Sequence, residues 1–156
     1  MLSRPLESAS DVQKSKKSSK ELEINGIGLT KVDHLAILVP NLNKAIRMMS
    51  EGFGLAVESR KEYPDLGMSV AILRADNIKI ELIEPTGPGP YWESRRNVAT
   101  LNHIAIDEES IPTLQERFGE TGLKVKDESK RRADGGYIVD VDPSTVMELR
   151  IQLIRR

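Results

Sequence analysis

The chain has 156 residues, 38% of them hydrophobic and 30% charged, with a formal net charge of −1. That length suits one domain or two small halves sharing a core, and near-neutrality gives no global electrostatic basis for binding nucleic acid or an acidic membrane surface. With no cysteine, disulfides, thiolate catalysis and thiolate metal sites are excluded, and no apolar run nears the roughly 20 residues needed to span a bilayer.

The charge is unevenly spread. Residues 1–20 carry five basic and two acidic side chains, a net of +3, which leaves −4 for the rest. Residues 1–29 therefore read as a flexible basic and polar N-terminal tail that can bury little surface. A mitochondrial transit peptide is the alternative, and the acidic Glu7 and Asp11 with a single early Arg4 count against it. The corresponding location is cytoplasmic, or the mitochondrial matrix if the tail is such a peptide.

Beyond the tail the elements come in a fixed order. KVDHLAILV, residues 31–39, is a short apolar run rich in β-branched residues and predicts a buried strand. In NLNKAIRMMSEGFG, residues 41–54, Asn41 can cap a helix, Leu42, Ala45, Ile46 and Met49 recur at helical spacing, and Gly52 and Gly54 end it. LAVESRKEY, MSVAILRA and IKIELIEP predict three strands, with a tight turn at Asp76-Asn77 between the last two. A Pro- and Gly-rich linker, residues 85–99, follows, holding Tyr91, the only Trp, Arg95 and Arg96. The pattern then repeats. TLNHIAID is a strand, ESIPTLQERFGETG a helix with Ser110 as its cap and Pro112 in the first turn, and LKVKDES, GGYIVDVD and TVMELRIQL are three strands. The fold class is α+β: two βαβββ modules, about 31–85 and 100–153, within one domain of residues 30–153.

The repeat carries chemistry. The only two histidines stand in matching phrases, VDHLAI and LNHIAI. His34 to Glu81 is 47 residues and His103 to Glu148 is 45, so each module places a His in its first strand and a Glu in its last. Related by a pseudo-two-fold, these four side chains can converge as two imidazoles and two carboxylates around a divalent metal.

On KVDHLAILVPNLNKAI, IKIELIEP, LNHIAI and VMELR, over residues 30–153, the chain resembles the vicinal oxygen chelate superfamily, and within it the methylmalonyl-CoA epimerases. The resemblance implies two modules forming a curved mixed sheet around a central metal, often in a homodimer. It puts His34, Glu81, His103 and Glu148 on the metal positions, with cobalt, manganese, nickel or zinc as the ion and a malonyl-type acyl-CoA thioester as substrate. It gives Glu148 a second role in proton transfer and matches Asp65, in YPDLGMSV, to the opposing family Glu. Three departures stand out. Asp65 is one methylene shorter than that Glu, Leu66 replaces a Gln, and Asn102 replaces a His in a phrase whose glycines are also missing. Three functions remain in play: the epimerase or a related isomerase, another superfamily reaction (a glyoxalase-like lyase or a natural-product isomerase or cyclase), and a non-catalytic small-molecule-binding protein. Lys130, Arg131 and Arg132, with Arg95 and Arg96, are candidate contacts to an anionic substrate.

Overall fold

The computed structural model describes residues 30–111, 113–131 and 136–155. The expected tail, Pro112 and Arg132 lie outside these residues. Strand alternation sets the first module. β1 (Val32–Leu38) turns His34, Ala36 and Leu38 to one face and Leu35 and Ile37 to the other. α1 (Leu42–Arg47) opens where Asn41 Oδ1 accepts from the Lys44 amide at 2.8 Å and Glu84 Oε2 accepts from the Leu42 amide at 2.8 Å, which satisfies two of the N–H groups that a helix start leaves without partners. The expected helix then widens into one π turn, Met48–Gly52, before Gly54 at φ 73° releases the chain. β2 (Ala56–Tyr63), β3 (Met68–Arg74) and β4 (Lys79–Pro85) complete the module, with Asp76 and Asn77 in the β3–β4 turn as expected.

The second module runs β5 (Thr100–Asp107), α2 (Leu114–Thr121), β6 (Val125–Arg131), β7 (Tyr137–Val141) and β8 (Ile151–Arg155). All eight strands form one open mixed sheet in the order β2-β3-β4-β1-β5-β8-β7-β6. The order is the same read outward from the central β1–β5 pair in either direction. β1 and β5 are antiparallel, and each pairs in parallel with the last strand of its own module, β4 or β8. This is the pseudo-two-fold that the repeated phrases imply.

The two faces have different roles. Ala71, Leu73 and Leu82 point to one side and pack with Val39, Leu42 and Ala45 into a core beneath α1. Ala36, Leu38, Val70 and Ile83 form a second apolar patch on the opposite face, against Tyr63, Met68 and Tyr91. In the second module Val139 and Leu153 line a groove with Leu114 and Phe118 of α2. Their strand neighbours Asp140 and Gln152 therefore face the other way, toward the side that carries His34 and Ala36.

Two expectations are corrected. Ser110 does not cap α2. Its hydroxyl accepts from the Lys31 amide at 2.8 Å and donates to the Asp107 carbonyl at 2.6 Å, inside a 3-10 turn of residues 108–110, and α2 starts four residues later. The last strand is also not continuous over 145–153. Asp142 Oδ1 accepts from the Ser144 amide at 3.0 Å and Pro143 opens a 3-10 turn. The Glu148 amide donates back to the Pro143 carbonyl at 2.8 Å, Met147 and Glu148 take left-handed φ values of 56° and 62°, and extended chain resumes only at Ile151.

Candidate metal centre and adjoining cleft

Three predicted donors meet on the face opposite α1. His34 and His103 are 4% and 3% exposed. Their Nε2 atoms stand 3.3 Å apart, and Glu81 Oε2 lies 3.3 Å from the first and 3.8 Å from the second. The sheet register causes this. Ala36 lies between Glu81 on β4 and His103 on β5, and His34 pairs with Ala105. With two alanines beside them, the long side chains close over the β1–β5 seam.

Each imidazole is held by the residue before it. His34 Nδ1 bonds Asp33 Oδ1 at 2.8 Å and His103 Nδ1 bonds Asn102 Oδ1 at 2.8 Å. A carboxylate and an amide oxygen only accept, so both Nδ1 atoms carry the proton. Both Nε2 atoms of the neutral rings then present lone pairs to each other across 3.3 Å. That arrangement calls for a proton or a cation between them. Ligand atoms held at about 2.1 Å from one ion stand roughly 3.0–3.5 Å apart in octahedral or tetrahedral geometry. The two separations of 3.3 Å fall in that range and the 3.8 Å between Glu81 and His103 lies slightly above it, so a small closing movement of Glu81 fits the set to a divalent metal. Without one, burial lowers the proton affinity of His34, but hydrogen bonds to Asp33 and Glu81 and their charges outweigh it and set His34 above its usual range. Burial pushes His103 down to about 4; the charge of Glu81 opposes the shift and that of His34 adds to it.

Glu148 is not in this group. Among the described residues the donors close enough to share an ion are His34, Glu81 and His103, whereas Glu148 is exposed on the left-handed turn that ends before β8. Register names a different residue. Ala36 pairs with Glu81, and its counterpart Ala105 pairs with Gln152. Gln152 thus occupies in the second module the place of Glu81 in the first. The signal was present in the sequence: KIELIE, residues 79–84, matches RIQLIR, residues 150–155. A search for carboxylates at equal spacing passes over it.

A cleft of about 120 Å³ adjoins His103, and Tyr91, Asn102, Lys126, Asp140, Arg150 and Gln152 contribute to its walls. Burial, reinforced by the charge of Glu81, pushes the Tyr91 phenol up to about 12 and keeps it protonated. Asp65 is exposed in the 3-10 turn Pro64–Leu66. Gly67 ties that turn to the linker: its carbonyl accepts from the Thr86 and Gly87 amides at 2.8 and 3.1 Å. Arg95 stacks on Trp92 at 3.6 Å and takes no part in the donor group.

The model of the Glyoxalase/Bleomycin resistance protein/Dioxygenase superfamily matches residues 33–139. The chain belongs to this superfamily. An ethylmalonyl-CoA/methylmalonyl-CoA epimerase of Cereibacter sphaeroides is 29% identical over 118 residues, 72% of this chain and 88% of that protein. A mitochondrial methylmalonyl-CoA epimerase of Bos taurus is 25% identical, over 80% of this chain and 74% of its own. Among solved structures, the methylmalonyl-CoA epimerase of Mycobacterium tuberculosis superposes with a TM-score of 0.66 at 17% identity, covering 86% of this chain and 92% of that one. A Streptomyces coelicolor methylmalonyl-CoA epimerase variant bound to 2-nitronate-propionyl-CoA gives 0.62 at 21%, covering 81% and 96%. At these identities the structures establish the shared fold. Among the described residues no helix is long and apolar enough to cross a membrane.

Proposed function

We propose that the chain is a divalent-metal-dependent epimerase that moves the proton on a carbon flanked by a thioester and a carboxylate, as in methylmalonyl-CoA. The observation that carries this reading is the convergence of His34, Glu81 and His103, drawn from both modules, beside a cleft that also holds Lys126 and Arg150. The names of the relatives support the thioester. His34 Nε2, His103 Nε2 and Glu81 would hold the ion, with the Gln152 amide oxygen as fourth donor in place of Glu148. A cobalt, manganese, nickel or zinc ion bound there supplies Lewis acidity to carbonyl oxygens.

The remaining work falls to the chain's own groups. Asp33 and Asn102 fix the imidazole tautomers so that each Nε2 faces the centre. Lys126 and Arg150 give the cleft positive charge for a carboxylate. Asp65 is a proton-transfer group presented by the turn that Gly67 clasps to the linker. The homodimer and the acyl-CoA partner expected from the resemblance belong to the same reading, and sedimentation equilibrium measures the former. The mitochondrial relative is compatible with a targeting role for residues 1–29, which an import assay with and without them decides.

The test is deuterium incorporation at C2 of methylmalonyl-CoA in heavy water, comparing Co²⁺-loaded protein, chelator-stripped protein and a blank. Exchange by the loaded protein well above both others is expected. Exchange at the blank rate from protein shown to hold Co²⁺ would remove the malonyl thioester as substrate.

A further inference from the structure

Epimerisation needs a group that takes a proton on one face of the carbon and another that returns it on the other. The second module does not offer this at the position where the first has its carboxylate. Gln152 can donate an amide oxygen to a cation, but a carboxamide cannot act as a base near neutral pH. Glu81 is already committed to both imidazoles.

The register shows where the second module keeps its acid. On the site face, one row across the sheet reads Ile72–Glu81–Ala36–His103, and its pseudo-two-fold counterpart reads Asp140–Gln152–Ala105–His34. An apolar residue followed by a carboxylate in the first module becomes a carboxylate followed by an amide in the second. The acid has moved one strand outward, from β8 to β7. Directly paired antiparallel residues project to the same face with Cβ atoms about 5 Å apart, so Asp140 flanks Gln152. It lines the same cleft as His103, Tyr91 and Arg150. Its charge reaches both His103 and Tyr91. Lys126 and Arg150 share the cleft, so a substrate anion has cations to hold it and a carboxylate beside it.

We infer that Asp140 is the second proton-transfer residue of this site, acting opposite Asp65; the inference rests on the reading of the preceding subsection. In the step, the Asp140 carboxylate takes the proton from the carbon between the two carbonyl groups. The C–H electron pair enters the enolate, with the negative charge on the carbonyl oxygens, and Asp140 becomes the neutral acid. Asp65, starting as the neutral acid, delivers its proton to the opposite face and is left as the carboxylate, which gives the other epimer. The reverse sequence, with Asp65 as base and Asp140 as acid, regenerates the first.

The experiment compares the full-length parent, Asp140→Asn and Asp140→Asn/Gln152→Glu in two measurements: Co²⁺ affinity by titration calorimetry, and C2 deuterium exchange of each separate methylmalonyl-CoA epimer. Asp140→Asn is expected to bind Co²⁺ within threefold of the parent, which also shows that it folds, and to lose at least 100-fold in exchange of at least one epimer. Gln152→Glu added to it returns a carboxylate one strand inward and is expected to recover at least tenfold. Parent-like exchange of both epimers by Asp140→Asn overturns the inference while leaving the proposed function intact. So does a fall of more than 30-fold in its Co²⁺ affinity, which would make Asp140 a support of the metal donors. A parent that exchanges neither epimer overturns the proposed function itself, and this inference with it.

Discussion

The two imidazoles face each other with unequal partners, and this makes them titrate apart. Asp33 brings a negative charge to His34, whereas Asn102 brings only a dipole to His103. In metal-free protein a first proton therefore settles on His34, and a second must join it across 3.3 Å in a buried site. The chain has only two histidines, so an NMR titration contains two imidazole signals, assigned with His34→Gln. On acidification His34 should move first, with a midpoint above 6.5, and His103 only near pH 4. Coincident titration near 6.5 would contradict the asymmetry. The two linkages have opposite signs. The contribution of His34 to stability is complete below 6.5 and is lost as pH rises through its folded value. That of His103 is complete above 6.5 and is lost as pH falls toward 4. Together they favour the metal-free fold most near pH 6.5.

At the scale of elements, the strands whose faces differ in polarity were legible and the turns between them were less so. VDHLAIL and KIELIEP read as strands from their short apolar runs rich in β-branched residues, and the matching phrases VDHLAI and LNHIAI single out His34 and His103. TVMELRIQL also reads as a strand, but the Asp142 cap and Pro143 bend the chain and hold its first half in a turn. Four residues separate Glu148, expected from matching residue type and spacing, from Gln152, the residue that register sets at the place of Glu81. Asn102 stood out in the sequence only as a replacement, and its bond to the adjacent His103 ring needed the structure; Asp140 was hidden, because only strand pairing sets it beside Gln152. Gly67 is the element-scale test. It sits at φ 57°, and a Cβ there would overlap the carbonyl oxygens of Gly87 and Pro88. Gly67→Ala should cost roughly 1–3 kcal/mol from the left-handed backbone alone, and more from the overlap. It should also unclasp the Asp65 turn from the linker that carries Tyr91. Urea unfolding with an unchanged midpoint would show that the clasp bears no stability.

The whole molecule is two modules joined edge to edge along β1 and β5, and the donor atoms lie across that seam. His34 and Glu81 come from one module, and His103 and the proposed Gln152 from the other. An ion held by both modules binds the folded sheet and not the unfolded chain, so it stabilises the molecule by mass action, about 2.7 kcal/mol at a hundredfold excess over Kd. For a domain of this size that is a rise in Tm of roughly 8 °C. His103→Ala removes the only imidazole of the second module while leaving both apolar clusters of the first untouched. It should keep the far-ultraviolet spectrum of the parent, yet show no rise in Tm when Co²⁺ is added. Glu148→Ala, on its exposed turn, should keep the full rise. If the effects are exchanged, with the Co²⁺ shift lost in Glu148→Ala and kept in His103→Ala, then the seam is not where the metal binds, and the pseudo-two-fold joins the sheet without building the site.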